Sequence, residues 1–277
     1  MLEHFFAPPL RLGLAEASIA LIDPAASLAG APRRREAAWP QLRGEPLDFD
    51  ALLAHLDALL DEAGPVRGRA VRVLLCDAWL RLWVVRPPSN ALQRADCEAA
   101  AAVRFEALYG EPLDGRFHLS ADWAARRPFV AAAIETARLQ ALRSRLAARG
   151  LHMDAVQPHL VAAWNRWHRA VPEGAWFGTL HEDTLCLLMR VDADPAELRC
   201  LTVDAAARVE AAWLRQALQR EALRLGVAAP ACVALTGAVP GPWAAVQGPE
   251  WRCVALDAAA PTTGQPALQL LSEGGRA

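Results

Sequence analysis

The sequence predicts an α/β fold built from two related halves, with a small α/β subdomain inserted in the first half. Two strands joined by a tight turn are predicted over residues 10–22, and the same arrangement recurs over residues 176–191. Between these hairpins, residues 70–167 alternate strands and helices in the order β-β-α-β-β-α-β-α. Each element follows from apolar residues that cluster as in strands or recur at helical spacing.

The composition excludes several classes of protein. With 277 residues, of which 54% are hydrophobic, the chain can bury a core large enough for two domains. Its formal net charge of -2 offers no basic face of the kind that nucleic acid requires, so we expect no nucleic-acid partner. Every basic residue is arginine, which removes any chemistry that needs a lysine, such as a Schiff base or a P-loop.

The cysteine pattern indicates a reduced, cytoplasmic protein. No two cysteines are spaced as CxxC, and most lie in apolar runs where cysteine behaves as a small buried hydrophobe. The N-terminus lacks the basic and apolar regions of a signal peptide, and no run reaches the roughly 20 apolar residues that span a bilayer. We therefore expect no direct membrane insertion. The six cysteines are Cys76, Cys97, Cys186, Cys200, Cys232 and Cys253.

The first part of the chain, residues 1–69, is predicted to begin the first half of the fold. After the hairpin at residues 10–22, Arg33, Arg34 and Arg35 are expected in a solvated loop. A helix is predicted over residues 48–63, where Asp48 is a suitable N-cap and apolar residues recur on one stripe.

Residues 70–170 are predicted to hold the strand pair, the inserted subdomain and the return helix. A hairpin is expected over residues 71–85, with Asp77 and Ala78 in its turn. The predicted elements that follow are helices at 91–109, 136–149 and 159–169 and strands at 116–123, 128–134 and 153–157.

Residues 171–257 are predicted to form the second half. Its hairpin at 176–191 is followed by a strand at 198–203 and one long helix at 205–225, with Val209 facing inward. Strands are expected at 231–237 and 251–256. Residues 258–277 are rich in Ala, Pro, Thr, Gly and Ser, and we expect a flexible tail.

No cluster of residues in the sequence predicts catalysis or metal binding. Asp96, Glu98 and Glu106 fall on different faces of one solvated helix. His159 and His168 are nine residues apart, which misses the spacing that places two histidines on one helical face. We therefore expect neither catalytic residues nor a metal site.

The layout resembles the actin-like ATPase superfamily, which has a ribonuclease H-like duplicated α/β fold. Within it, the chain is similar to the branch of PilM from type IV pilus systems and the cytoplasmic domain of GspL from type II secretion. The resemblance spans about residues 10–257 and is most specific in the insertion. It rests on residues 86–88, 104–106, 149–151 and 153–158, and on Leu235-Thr236-Gly237, which resembles the start of the superfamily's adenosine motif.

The resemblance also identifies where nucleotide would bind, and this chain departs from the pattern there. Nucleotide-binding members carry Asp-x-Gly in the first hairpin, whereas alignment on Ser18 places Gly13 and Ala15 at those positions. Glu16 adds a carboxylate that would repel phosphate. The second hairpin offers Glu182, Asp183 and Thr184 without a glycine, and Ala238 follows Gly237 in the third motif. We therefore expect degenerate nucleotide loops, no enzyme activity and no cofactor, with ATP disfavoured.

The function that the resemblance implies is a non-catalytic scaffold. Such a protein binds the cytoplasmic tail of a single-pass, PilN-like inner-membrane protein and links it to the assembly ATPase complex. It would be cytoplasmic and held at the inner membrane through its partners. Two alternatives are an active ATPase or kinase relative and a self-assembling structural protein that forms homo-oligomers. The residues that contact the partner are not identified by the sequence.

Overall fold

The computed structural model describes residues 8–25, 32–40, 47–64, 66–257 and 266–273. Contacts divide the chain into two compact units. Unit 1 comprises the described residues of Met1–Leu80, Ile134–Arg166 and Pro261–Ala277, and unit 2 comprises those of Arg81–Ala133 and Trp167–Ala260. The boundary at Leu80 falls inside the hairpin that the sequence predicts over residues 71–85, and the inserted segment belongs to unit 2.

Unit 1 is organised around a five-stranded mixed sheet with the order β3-β2-β1-β4-β8. The first hairpin is confirmed, because β1 and β2 pair antiparallel and Leu14 lies opposite Ile19. Strand β1 is parallel to β4, and β4 is parallel to β8. The strands are β1 Leu10–Leu14, β2 Ser18–Asp23, β3 Arg33–Ala38, β4 Ala70–Leu75 and β8 His152–Pro158.

The hairpin predicted over residues 71–85 is wrong. Strand β4 lies in the sheet of unit 1, whereas β5, Arg81–Val85, pairs with β7, Phe129–Glu135, in a different sheet. A single 3-10 turn, Asp77–Trp79, separates the two strands. Two apolar runs joined by a short turn look like a hairpin in sequence, but non-local parallel pairing with β1 fixes β4 here.

The expected loop at Arg33, Arg34 and Arg35 is also wrong. These residues begin β3, the edge strand, in antiparallel register with Asp23, Ile22 and Leu21 of β2. Charged side chains are common on an exposed edge, where they prevent further strand pairing. A run of charge therefore indicates exposure without deciding between loop and edge strand.

The described part of unit 1 contains four α-helices. They are α1 Phe49–Ala63, α3 Thr136–Ala148, α4 His159–Trp167 and α8 Pro266–Glu273. The predicted cap is confirmed, because Ala51 N donates to Asp48 Oδ1 at 2.9 Å. Arg149 and Arg145 both reach Asp57 on α1, at 2.7 and 2.6 Å, and so tie α3 to α1.

The expectation of a flexible tail over residues 258–277 is wrong for residues 266–273, and residues 258–265 and 274–277 lie outside the described residues. These residues form α8, which contacts β1, β2 and β4 and buries Ala267, Leu270 and Leu271. Arg11 and Arg166 donate to the carbonyls of Leu271 and Ser272 in the last turn of α8, where the helix dipole favours cations. The composition of the segment does not reveal its short apolar stripe, and a helix this short is stable only when its apolar stripe packs on a sheet face.

Unit 2 contains a second five-stranded sheet with the order β11-β10-β9-β12-β13. The recurring hairpin is confirmed by the antiparallel pairing of β9 with β10. The strands are β9 Trp176–His181, β10 Thr184–Val191, β11 Asp194–Thr202, β12 Cys232–Gly237 and β13 Arg252–Ala255, and a short helix, α7 Gly241–Ala244, follows β12.

The single helix predicted over residues 205–225 is two helices. The backbone leaves the helical region at Glu210 (φ -96°, ψ 107°), which separates α5 Ala205–Val209 from α6 Ala211–Leu225. As a result Val209 is 74% exposed, and its predicted inward position is wrong. The break lets the carbonyls of Ala207 and Glu210 accept from the buried Trp243 indole.

The prediction that the cysteines are all reduced is contradicted. Cys186 on β10 lies directly opposite Cys200 on β11, and the two form a disulfide with a Cα–Cα distance of 4.1 Å. The remaining cysteines of the described residues are buried thiols. The register of β10 and β11 brings the pair together, and spacing along the sequence does not reveal that register.

The insertion in unit 2 consists of α2 Arg94–Tyr109 and a three-stranded sheet of β5, β7 Phe129–Glu135 and β6 Phe117–Ala121. Its core is the cluster of Trp83, Phe105 and Phe129 with smaller apolar neighbours. In the described part of the chain, no helix is both long and apolar enough to cross a membrane.

Arg81 organises one edge of the insertion. Its guanidinium lies 4.9 Å from the centroid of the Tyr109 ring and 4.8 Å from that of Phe117, which is cation–π geometry. It also forms an ion pair with Glu111. The hydrogen bond from Arg81, supported by one from Arg116, lowers the pKa of the Glu111 carboxyl.

Replacing Arg81 is expected to raise the pKa of Glu111. Because the folded-state pKa is depressed, the interaction stabilises the fold above the unfolded pKa, and this contribution is lost as the pH falls through the folded pKa. In Arg81→Gln, carboxyl ¹³C NMR titration should show Glu111 moving up towards its ordinary value. Arg94→Gln, which removes an arginine from α2 that pairs with Glu98 instead, should leave Glu111 unchanged. An unaltered titration of Glu111 in Arg81→Gln would contradict the assignment.

Candidate functional site

The first of the three turns that the sequence identified as nucleotide loops connects β1 to β2 in unit 1. Ala15 N donates to Ser18 O at 2.9 Å, which closes the turn, and the side chain of Ala15 is fully buried. Ala15 O accepts from the indole Nε1 of Trp79 at 2.8 Å. Both backbone polar groups of Ala15 are therefore used inside the unit, and Glu16 stands half-buried in the same turn.

The strand residues that flank this turn, Gly13 in β1 and Ser18 at the start of β2, contact α8. A Cβ placed on Gly13 would lie 2.5 Å from Ala267 O and 2.9 Å from Leu271 Cγ. Ser18, which is 1% exposed, accepts through Oγ from Ala267 N at 3.0 Å. Gly13 thus permits close approach of a helix, and Ser18 satisfies an N–H in the first turn of that helix.

Two residues of unit 1 that sequence reasoning did not place in the site support this turn. Trp79 binds the carbonyl of Ala15, as above, and Asp77 accepts from Leu160 N at 3.0 and 3.1 Å. The Asp77 carboxylate thereby stabilises the first turn of α4 and lies 4.0 Å from Nδ1 of the buried His159. The signal available in the sequence is an aspartate two residues before a tryptophan, just after a buried strand, and this pattern also predicts a hairpin turn.

The second turn joins β9 to β10 in unit 2 and consists of Glu182 and Asp183. Glu182 has φ +48°, a left-handed conformation that costs a residue with a Cβ about 1–3 kcal/mol. The guanidinium of Arg208 on α5 donates to Glu182 O and lies 3.5 Å from the Asp183 carboxylate. Val203 N donates to Asp183 O at 2.7 Å. Thr184 starts β10 opposite His181, so the turn has two carboxylates at its tip.

The third turn follows β12 at Gly237, where φ is +98°. Asp257 accepts from Thr236 Oγ1 at 2.9 Å and from Gly237 N at 3.1 Å. Ala238 N donates to Leu180 O at 3.0 Å, and Val239 N donates to Gly237 O at 2.8 Å. Three successive backbone N–H groups therefore have acceptors within unit 2, and one of these acceptors is a carboxylate.

The first and third turns use their backbone N–H groups within the chain, and all three turns have carboxylates in or against them. A phosphate loop binds its ligand through backbone N–H groups that point at the anion. Here the N–H groups of Ala15, Gly237 and Ala238 donate to acceptors of the same chain. Carboxylates of Glu16, Glu182, Asp183 and Asp257 stand in or against the turns, and a second negative charge nearby is unfavourable for an anion. The first turn belongs to unit 1, and the other two belong to unit 2.

Unit 1 also contains a groove that the sequence did not indicate. It has a volume of about 600 Å³ and lies between the first turns of α1 and α3. Arg138 forms part of it, pairs with Glu135 at 3.1 Å and lies 5.8 Å from the ring centroids of both Phe49 and Trp79. Asp48 and Asp50 are exposed at its rim. The lining residues are Leu47, Asp48, Phe49, Asp50, Ala137, Arg138 and Ala141.

Substitution of Gly13 tests how closely α8 is held. In Gly13→Ala, the added methyl meets a backbone carbonyl, so α8 must shift, and overpacking of this kind costs about 1–3 kcal/mol. Urea unfolding should show the loss, and hydrogen exchange of α8 amides should quicken. Gly115→Ala is the matched control, because a Cβ there meets nothing within 4 Å. Equal stability of the two variants would contradict the close approach.

Comparisons with known proteins show which solved structures this chain resembles. No protein-family model and no curated protein matches the sequence. Among solved structures, a chain of a PilM-PilN type IV pilus biogenesis complex matches with a TM-score of 0.59 at 17% identity, covering 97% of this chain and 99% of that chain. The cytoplasmic domain of EpsL, an inner-membrane component of the type II secretion system of Vibrio cholerae, matches with a TM-score of 0.55 at 17% identity, with 96% and 93% covered.

A third solved structure identifies the shared fold. A protein of unknown function from Bacteroides thetaiotaomicron, with an actin-like ATPase fold, matches with a TM-score of 0.54 at 9% identity, covering 87% of each chain. Identities this low establish shape and not activity. The chain has the actin-like ATPase fold, and its structural neighbours include PilM and the EpsL cytoplasmic domain, as the sequence resemblance predicted.

Proposed function

We propose that this chain is a non-catalytic scaffold of a type IV pilus or type II secretion-like inner-membrane assembly. The observation that carries the proposal is the likeness to a chain of the PilM-PilN complex over almost the full length of both chains. In this role the protein binds the cytoplasmic tail of a PilN-like membrane protein and connects it to the assembly ATPase complex. It is then held at the inner membrane by its partners.

The state of the three turns supports the non-catalytic part of the proposal. Phosphoryl transfer needs a positioned metal and groups that stabilise charge on the phosphoryl oxygens. At Gly237 the backbone N–H and the Thr236 hydroxyl bind Asp257, and at Ala15 the N–H closes its own turn. A nucleotide would have to displace these bonds and approach carboxylates.

The groove between α1 and α3 is the surface we assign to the membrane protein's tail. Short cytoplasmic segments next to a transmembrane helix are enriched in Lys and Arg. The exposed carboxylates of Asp48 and Asp50 at the rim complement such a segment, and Leu47, Ala137 and Ala141 supply apolar lining. An extended peptide with one basic and one apolar side chain fits this chemistry.

Thermal unfolding with and without millimolar Mg-ATP tests the non-catalytic assignment. A ligand at 100 times its Kd adds about 2.7 kcal/mol to the stability of the folded state, which shifts the midpoint visibly. We expect no shift, and none in Asp257→Ala, in which the third turn has lost its carboxylate. A shift in the unaltered protein would restore the alternative of an active ATPase or kinase relative.

The groove assignment is tested by isothermal titration with a synthetic peptide of the cytoplasmic N-terminal tail of a candidate PilN-like protein. Asp50→Arg should weaken binding about fivefold, because loss and reversal of one exposed charge changes the interaction by about 1 kcal/mol. Glu250→Arg, an exposed reversal in unit 2, should bind as the unaltered protein does. Equal affinity of the two variants would remove the groove from the proposal. No binding of any tail peptide would count against the scaffold function itself.

A further inference from the structure

We propose that Cys186 and Cys200 form a reversible redox switch, which low-molecular-weight thiols and disulfides open and close in the folded protein. The two residues are direct cross-strand partners on β10 and β11. Cys186 is 1% exposed, whereas Cys200 lies at the surface. One sulfur of the bond is thus accessible to a reagent in solution, and the other is shielded.

The strand register makes the bond reversible without unfolding. The ladder between β10 and β11 extends on both sides of the pair, from Thr184 opposite Thr202 to Val191 opposite Asp194. Backbone pairing, and not the disulfide, therefore holds the two cysteines opposite each other. After reduction the thiols remain adjacent, so their effective concentration stays high and the bond can form again.

The chemistry needs only a thiol as co-reactant. The thiolate of a small thiol attacks the exposed Cys200 sulfur, the disulfide bond breaks, and Cys186 leaves as a thiolate that takes up a proton. A second thiol attacks the mixed disulfide, which releases Cys200 as a thiol and the reagent as its disulfide. Two electrons pass from two thiol molecules to the protein, and oxidation by a small disulfide reverses the sequence.

The other cysteines of the described residues do not share these properties. Cys76, Cys97, Cys232 and Cys253 are buried thiols. Burial raises the pKa of the Cys253 thiol to about 12, so that it stays protonated and unreactive at neutral pH. Thiol exchange is therefore directed to the Cys186–Cys200 pair.

The switch acts on the strand that anchors the insertion in unit 2. Strand β11 is the edge of its sheet, and it contacts β5 of the insertion. Three residues before Cys200, Glu197 pairs with Arg104 of α2 at 2.7 Å, and Ala196 O accepts from Arg86 at 3.2 Å. With the disulfide open, β11 is joined to β10 by the ladder alone, so the strand and its contacts with the insertion open more often.

The experiment equilibrates the full chain in buffers of defined glutathione to glutathione disulfide ratio. Trapping with an alkylating reagent and intact mass then counts free thiols. We expect a reversible step of two thiols, with circular dichroism unchanged. Hydrogen exchange of the amides of residues 194–202 should be at least about tenfold faster in the reduced form, because the cross-link no longer restrains the opened hairpin.

Single variants provide the matched control. In Cys186→Ser, the exposed Cys200 should form a mixed disulfide with glutathione, whereas in Cys200→Ser the buried Cys186 should not. The proposal is overturned if the pair can be reduced only in denaturant or fails to oxidise in excess glutathione disulfide. Equal exchange of residues 194–202 in both redox forms would also overturn it.

Discussion

The close contact between β1 and α8 is the constraint on which unit 1 depends. Gly13 has no side chain, so the carbonyl of Ala267 comes within 2.5 Å of where a Cβ would be. This approach seats the apolar side of α8 on the central strands and lets Ser18 receive the N–H of Ala267. Gly13, which stands where the family pattern has an aspartate, thus serves helix packing in this chain.

At the other two turns, as at Ser18, polar groups that could bind a ligand are hydrogen-bonded or ion-paired within the chain. Arg208 fixes the acidic turn at Glu182 and Asp183, and Asp257 holds the turn at Gly237. Buried hydrogen bonds of this kind stabilise a fold because each donor would otherwise lose its partner on leaving water. Turns whose polar groups are satisfied within the chain are consistent with the scaffold role that we propose, because that role needs no bound nucleotide.

Two surfaces of the chain differ in chemistry. The groove between α1 and α3 combines apolar lining residues with exposed carboxylates, and it suits an apolar and basic segment. The edge strand β11 carries the Cys186–Cys200 pair and the ion pair from Glu197 to the insertion. Recognition of a tail and response to thiols would therefore occupy different units, so each can be altered by substitution without the other.

The sequence by itself determined the elements whose signal is local, and tertiary structure decided those that depend on distant partners. Helix α1 with its Asp48 cap and both hairpins follow from periodicity and turn chemistry, because the residues that stabilise them are neighbours in sequence. The two recurring hairpins also predicted the correct fold, because each of them is a local feature of the sequence. Local pattern could not reveal that β4 and β5 belong to different sheets, since strand pairing joins residues far apart in the chain.

The same division applies to the candidate site. The sequence identified the three turns and their missing glycines, but only the packing of α8 shows what Gly13 does in the structure. The Cys186–Cys200 bond depends on the register of β10 with β11, and helix α8 depends on a sheet face that covers its apolar stripe. In each case the stabilising partner lies elsewhere in the chain. The sequence of the segment therefore does not decide its structure, which forms only when the fold brings the partner into contact.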